Sequence, residues 1–147
     1  MDFQTAVKTC FDKYVVFSGR ASRSEYWWFV LFVFLGNILT TLADAMIFGA
    51  RAADTGILSM VFGLGTFLPA VSAAVRRLHD TGRSGWWWWL WLLPIIGWII
   101  LIIWYATQGD EGDNSFGPDP LGGGYGGGGG GGDVEYTPSR IPHVSGD

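Results

Sequence analysis

Residues Trp86 to Tyr105 read WWWWLWLLPIIGWIILIIWY and carry no charge. As one α-helix this run covers roughly 30 Å at 1.5 Å per residue, the thickness of a bilayer's hydrocarbon core. Tryptophans open it, beginning with Trp86 and Trp87, and Trp104 closes it. An indole is an apolar ring with one polar N–H, so these clusters suit the two opposite membrane–water interfaces. The run therefore predicts a membrane-embedded chain. Pro94 and Gly97 sit near its middle. Proline removes a backbone donor and clashes with the preceding turn, so a bend is the other reading. A re-entrant hairpin would bring Asp110, Glu111 and Asp113 back toward Arg20, Arg23, Arg76, Arg77 and Arg83. Irregular backbone facing lipid is heavily penalised, which favours the straight span.

Working toward the N-terminus, Ile57–Val75 is a second apolar stretch, interrupted by Ser59, Gly63, Gly65, Pro69 and Ser72. Small residues allow close helix contact and Pro69 predicts a kink. The helix is expected to run on through Arg76-Arg77-Leu78-His79-Asp80, with Gly82 as the residue that stops it. A first span covers about residues 26–47. Ser22 and Glu25 upstream have the spacing of a capping box, and Trp27 and Trp28 follow as interfacial anchors. Asn37, Thr40, Thr41 and Asp44 share one face of this span. Polar atoms at that depth need partners on other helices, or else line a polar path.

Before the spans, Phe3, Ala6, Val7, Cys10, Phe11, Tyr14 and Val15 recur at helical spacing opposite a polar face. This amphipathic helix, within residues 1–19, is expected to lie in the interface with its apolar stripe toward lipid, or else to dock on the bundle with the same stripe. Cys10 is the single cysteine. It excludes an internal disulfide and reads as a small apolar residue, with lipidation as the other option. No cleavable leader is recognisable, and the first span reads as an uncleaved anchor.

The formal net charge of −4 averages two unlike parts. Residues 1–105 hold eight Lys/Arg against six Asp/Glu, whereas residues 106–147 hold Arg140 against seven acids. Neither part is basic enough to suggest nucleic acid. Lys8, Lys13, Arg20 and Arg23 precede the first span, Arg76, Arg77 and Arg83 follow the second, and Arg51 is alone between them. With three spans the positive-inside rule places the N-terminus and the Arg76–Arg83 loop in the cytoplasm and the tail outside. The glycine run of residues 122–132, broken by Tyr125, begins a tail too polar to fold alone, expected to be disordered and acidic.

The most distinctive string is RRLHDTGRSGWW, residues 76–87. Positive charge at a cytoplasmic helix end is what topology requires. Guanidinium groups can also fork onto lipid phosphates or another anion, making Arg20, Arg23, Arg76, Arg77, His79, Asp80 and Arg83 the candidate contact residues. A catalytic His79–Asp80 pair is disfavoured, since adjacent helical residues point about 100° apart and nothing marks Ser84 as activated. DEGDNSFGPDP lacks the acid spacing of an EF-hand loop and reads as a turn.

Three strings together, FSGRASRSEYW at residues 17–27, RRLHDTGRSGWW at 76–87 and GDNSFGPDP at 112–120, resemble the signature blocks of small bacterial inner-membrane proteins typified by YhaH and YhaI. That family is catalogued as domain of unknown function eight hundred and five. Ser115 departs from the basic residue that many members carry before Phe-Gly-Pro. The resemblance implies a multi-pass inner-membrane protein without an established reaction. It extends from about Phe11 to Pro120 and leaves out the glycine-rich tail.

The expected architecture is all-α. It comprises an interfacial helix at 1–19, a three-span membrane domain at 20–120 and a disordered tail at 121–147. The expected function is non-enzymatic, without cofactor or metal: an interaction module presenting an Arg/Trp-rich cytoplasmic face to anionic lipids, a membrane-protein partner or a second copy. A small transporter or channel subunit, built on Asn37 and Asp44, is the alternative.

Overall fold

The computed structural model describes residues 1–51 and 56–122. Residues 123–147 of the expected disordered tail and Asp54 of the first loop lie outside them. Among the described residues there are four α-helices: α1 (Phe3–Asp12), α2 (Arg23–Phe48), α3 (Ile57–Asp80) and α4 (Ile96–Ala106). Short 3-10 segments occupy Gly49–Arg51 and Gly85–Leu92.

Two helical stretches are long and apolar enough to cross a membrane, Arg23–Arg51 and Ile57–Asp80. Their surroundings separate them from the core helices of a soluble protein. Only 6% of the apolar window of the first and 28% of the second is buried by the rest of the chain. Side chains such as Phe34, Leu39, Met46, Leu64 and Phe67 stand exposed along their length. In water that surface would be a large uncompensated cost; in lipid it is not. The two helices cross closely at Gly36, where an added Cβ would lie 2.1 Å from the Phe62 ring.

Local chemistry sets the helix ends. Ser22 caps α2 by accepting the Glu25 N–H at 3.2 Å. The reciprocal half of the expected capping box is missing, because the Glu25 carboxylate is taken by Arg76. At the far end, Asp44 of α2 caps α3 from outside its own helix. Its carboxylate accepts the N–H groups of Leu58 at 3.0 Å and Ser59 at 2.9 Å and the Ser59 hydroxyl at 2.8 Å. These are orphan donors of a helix start, so the buried acid is fully occupied. Helix α3 stops as expected at Gly82, with φ of 71°. The Gly82 N–H donates to the His79 carbonyl and the Arg83 N–H to the Leu78 carbonyl, the paired bonds of a Schellman ending.

Pro69 lies inside α3, which stays helical through it. Proline leaves the carbonyl four residues back without its donor. That carbonyl, on Gly65, accepts the Tyr14 hydroxyl at 2.8 Å. Tyr14 is positioned by α1, whose stripe packs on α2. Phe3 meets Trp28 and Phe32, Phe11 meets Phe29 and Phe32, and Ala6 and Cys10 are fully buried. The stripe expected to lie against lipid is thus turned onto the bundle. Edge-to-face ring contacts across α1 and α2 hold it there.

The run from Trp86 to Tyr105 does not form the one straight helix expected of it. It begins as the 3-10 segment, breaks at Leu93–Ile95 and resumes as α4. At the break Ile95 has φ 67° and ψ −67°, and the Ile96 N–H donates to the Pro94 carbonyl at 2.8 Å. That is a γ-turn of the rare positive-φ form. Past it the chain doubles back. Gly97 sits so close to the Leu90 carbonyl that a Cβ there would lie 2.0 Å away, and the Trp98 indole donates to the Trp91 carbonyl at 3.0 Å. An 11-residue α4 covers about 16 Å, roughly half a bilayer core. The tryptophans expected at opposite interfaces consequently meet: the Trp87 and Trp104 rings are 5.7 Å apart.

Candidate functional site

The three strings singled out in the sequence converge at the end of the bundle where α2 begins and α3 ends. Arg20 Nε donates to Asp80 Oδ1 at 2.9 Å, and Arg77 Nη1 donates to the other Asp80 oxygen. Arg76 Nη1 donates to Glu25, whose same oxygen also receives the Cys10 thiol at 3.9 Å. Arg20, Arg76, Arg77, Glu25 and Asp80 are each at most 5% exposed. Burying one such charge alone is prohibitive; burying them as pairs with further hydrogen bonds is tolerable.

Three guanidinium groups face two carboxylates, and backbone carbonyls take up the remaining positive charge. Arg77 Nε donates to the Tyr105 carbonyl at 3.0 Å, and its other groups reach the carbonyls of Ala21 and Thr107. Arg20 donates to the carbonyls of Gly112, at 2.6 Å, and Asp110. The C-terminal end of the α3 dipole adds a negative potential in the same place. The arginines are thus clamps: Arg77 holds the end of α4, and Arg20 holds the segment after it.

That segment closes the cluster. The Asp110 N–H donates to the Asp80 carbonyl at 2.7 Å, and Gly109 passes so near that a Cβ would strike the Asp80 carboxylate. Asn114 donates to the His79 carbonyl at 2.8 Å. The His79 ring lies flat on Phe116, centroids 4.2 Å apart, with Nδ1 3.0 Å from the Gly19 carbonyl. Asp119 accepts the backbone N–H groups of Leu121 and Gly112, which hold its carboxyl below the usual range and tie the turn together.

Each expected site residue can now be placed. Arg20, Arg76, Arg77, His79 and Asp80 come together but are turned inward, away from the lipid or ligand contact expected of them. Arg23 is exposed, and Arg83 is half-buried with its guanidinium 4.5 Å over the Trp104 ring. His79 and Asp80 face different partners and form no dyad. Trp27, Trp28, Trp86 and Trp87 are exposed and Trp104 half-buried at this same end. Asn37 donates to the Val33 carbonyl of its own helix at 2.9 Å, and Asp44 caps α3. Neither opens onto a polar path. Sequence reasoning missed Glu25, Gly109 and Asn114 as members of the cluster. Burial pushes the Cys10 thiol up to about 11, helped by the Glu25 carboxylate, so it is a poor nucleophile.

The clasp has a further consequence for the tail. Residues 107–117 are bound to the Arg76–Asp80 end, so the chain enters its tail from that side.

The family model described as a protein of unknown function (DUF805) matches residues 14–118, a stretch that takes in the first two converging strings and the third as far as Pro118. The chain belongs to the DUF805 family. It is 47% identical over 107 residues to the inner membrane protein YhaH of Escherichia coli K12, covering 73% of this chain and 88% of YhaH. To the inner membrane protein YhaI of the same organism it is 45% identical over 108 residues, covering 73% and 87%. To the uncharacterized protein YiiR it is 27% identical over 129 residues, covering 70% and 84%. No solved structure matches. With relatives that are inner membrane proteins and two apolar helices turned outward, this DUF805 chain is a helical membrane protein.

Proposed function

We propose that this DUF805 protein is a non-enzymatic interaction module of the inner membrane. Two crossings and a half-depth hairpin form the membrane part, and one rigid face engages anionic lipid headgroups and neighbouring membrane proteins. The observation that carries the reading is the closed state of the Arg–Asp–Glu cluster. Its charges are paired with one another and with carbonyls inside the chain, as in a scaffold that fixes the shape of a surface. Arg23, Trp27, Trp28, Trp86 and Trp87 face outward, and Arg83 is half-buried over Trp104.

The orientation follows from charge. Lys8, Lys13, Arg20, Arg23, Arg76, Arg77 and Arg83 share one end, and Arg51 lies at the other. The positive-inside rule makes the first end cytoplasmic. In vesicles of phosphatidylcholine with phosphatidylglycerol, brominated phosphatidylglycerol should quench the tryptophans more than brominated phosphatidylcholine does. Arg23→Gln with Arg83→Gln should remove that difference while leaving the helical content intact. Equal quenching by both lipids in the unaltered protein would sink the reading.

A further inference from the structure

A cavity of about 630 Å³ opens sideways between α2, α3 and the 3-10 segment. Its α2 wall runs from Tyr26 at the clustered end down to Asn37, its α3 wall includes Phe67 and Ala70, and Trp88 and Trp91 close it from the hairpin. Along α2 that is about 16 Å at 1.5 Å per residue. One leaflet of hydrocarbon is about 15 Å, half of the usual ~30 Å core. The groove therefore begins at the boundary and ends at the midplane, the reach of a single acyl chain. A helix of a second copy would continue past the midplane, where this groove has no wall.

A charged side chain lies beside the apolar walls. Arg23 is exposed and stands seven and fourteen residues before Val30 and Asn37, on the same helical stripe. Behind the groove wall the buried Tyr105 hydroxyl lies by the Trp91 indole, with its ring 4.6 Å from that of Tyr26, so Trp91 and Tyr26 are backed by the hairpin.

We propose that this groove holds one acyl chain of an anionic phospholipid from the adjacent leaflet, with its phosphate on Arg23. This rests on the reading above and deepens it by assigning a retained lipid, distinct from the exchanging boundary layer.

The test uses the full chain in vesicles of phosphatidylcholine and phosphatidylglycerol, with one lipid at a time carrying a diazirine at mid-chain. Crosslinks from phosphatidylglycerol should concentrate on Val33, Phe34 and Phe67. They should fall at least about tenfold in Ala70→Trp and in Val30→Trp, which fill the groove. Even labelling that also marks Leu39 on the outer face of α2, groove labelling unchanged by either filling variant, or a chain-to-chain crosslink through the groove would each overturn the proposal. Preferential quenching by brominated phosphatidylglycerol in the groove-filled variants would leave the wider reading standing while this one falls.

Discussion

Two prolines interrupt apolar runs in this protein, and the chain treats them in opposite ways. Pro69 sits inside α3, which continues to Asp80; Pro94 sits at a reversal. The difference lies in what serves the neighbouring backbone. Around Pro69 the orphaned Gly65 carbonyl receives the Tyr14 hydroxyl, so α3 loses little by carrying the ring. Around Pro94 the chain adopts a γ-turn, and Gly97 and Trp98 hold the two legs against each other. A proline in a membrane run is therefore a question about its surroundings. The ring removes a donor in both places, and tertiary contacts decide whether the helix survives.

The largest effect expected from breaking this contrast is at the base of the hairpin. Arg77→Met removes the clamp on Tyr105 and Thr107 and leaves Asp80 short of a partner, which costs about 3–5 kcal/mol for a buried pair. Thermal unfolding in detergent should show a large loss. Arg83→Met, half-buried over Trp104, should cost about 1 kcal/mol or less. Equal losses would mean that the cluster does not hold the legs.

The hairpin also fixes sides. Thiols introduced by Ser84→Cys and by Ser115→Cys, both at exposed positions, should label from the same face of sealed vesicles. Labelling from opposite faces would restore the straight third span. Cys10 should stay silent, being fully buried with its thiol pushed up to about 11. Raising the pH from about 7 to about 9 increases the thiolate of an ordinary cysteine, near 8.5, but scarcely that of Cys10, so the contrast should widen. The sign follows from burial. The folded state favours the neutral thiol, and that contribution is lost only as pH rises above the ordinary thiol range.

What was legible in the sequence follows the same division. The ends of α2 and α3 could be read because Ser22 and Gly82 act within one turn of themselves. The residues of the cluster could be singled out because charge beside tryptophan in an apolar chain is conspicuous. Their inward pairing could not be read, since Arg20 meets Asp80 and Arg76 meets Glu25 across more than fifty residues. Glu25 reads as part of a cap because the local rule is blind to Arg76. The Trp86–Tyr105 run has the same composition straight or folded. What separates the two forms is Gly97 against Leu90 and Arg77 against Tyr105, contacts that hydropathy does not contain.

A smaller effect probes α3. Tyr14→Phe should cost about 1 kcal/mol, because the Gly65 carbonyl loses its donor. In a Pro69→Ala background the backbone N–H returns and can serve that carbonyl, so the same change should cost distinctly less. The coupling in the double-mutant cycle is the measurement. Independent, additive losses would show that Tyr14 contributes by packing alone.

The smallest effect has the most informative sign. Ile95 holds φ of 67° with its side chain 67% exposed, so substitution there loses little packing. A β-branched residue in that region stores about 1–3 kcal/mol of strain, and glycine releases it at an entropic cost of about 0.5–1 kcal/mol. In the hairpin, Ile95→Gly should therefore raise the unfolding temperature slightly, by a stabilisation of about 1 kcal/mol. In a continuous helix the same substitution sits mid-span and destabilises by about 1 kcal/mol. The two geometries thus predict opposite shifts from one residue, and a lowered unfolding temperature would count against the reversal at Pro94.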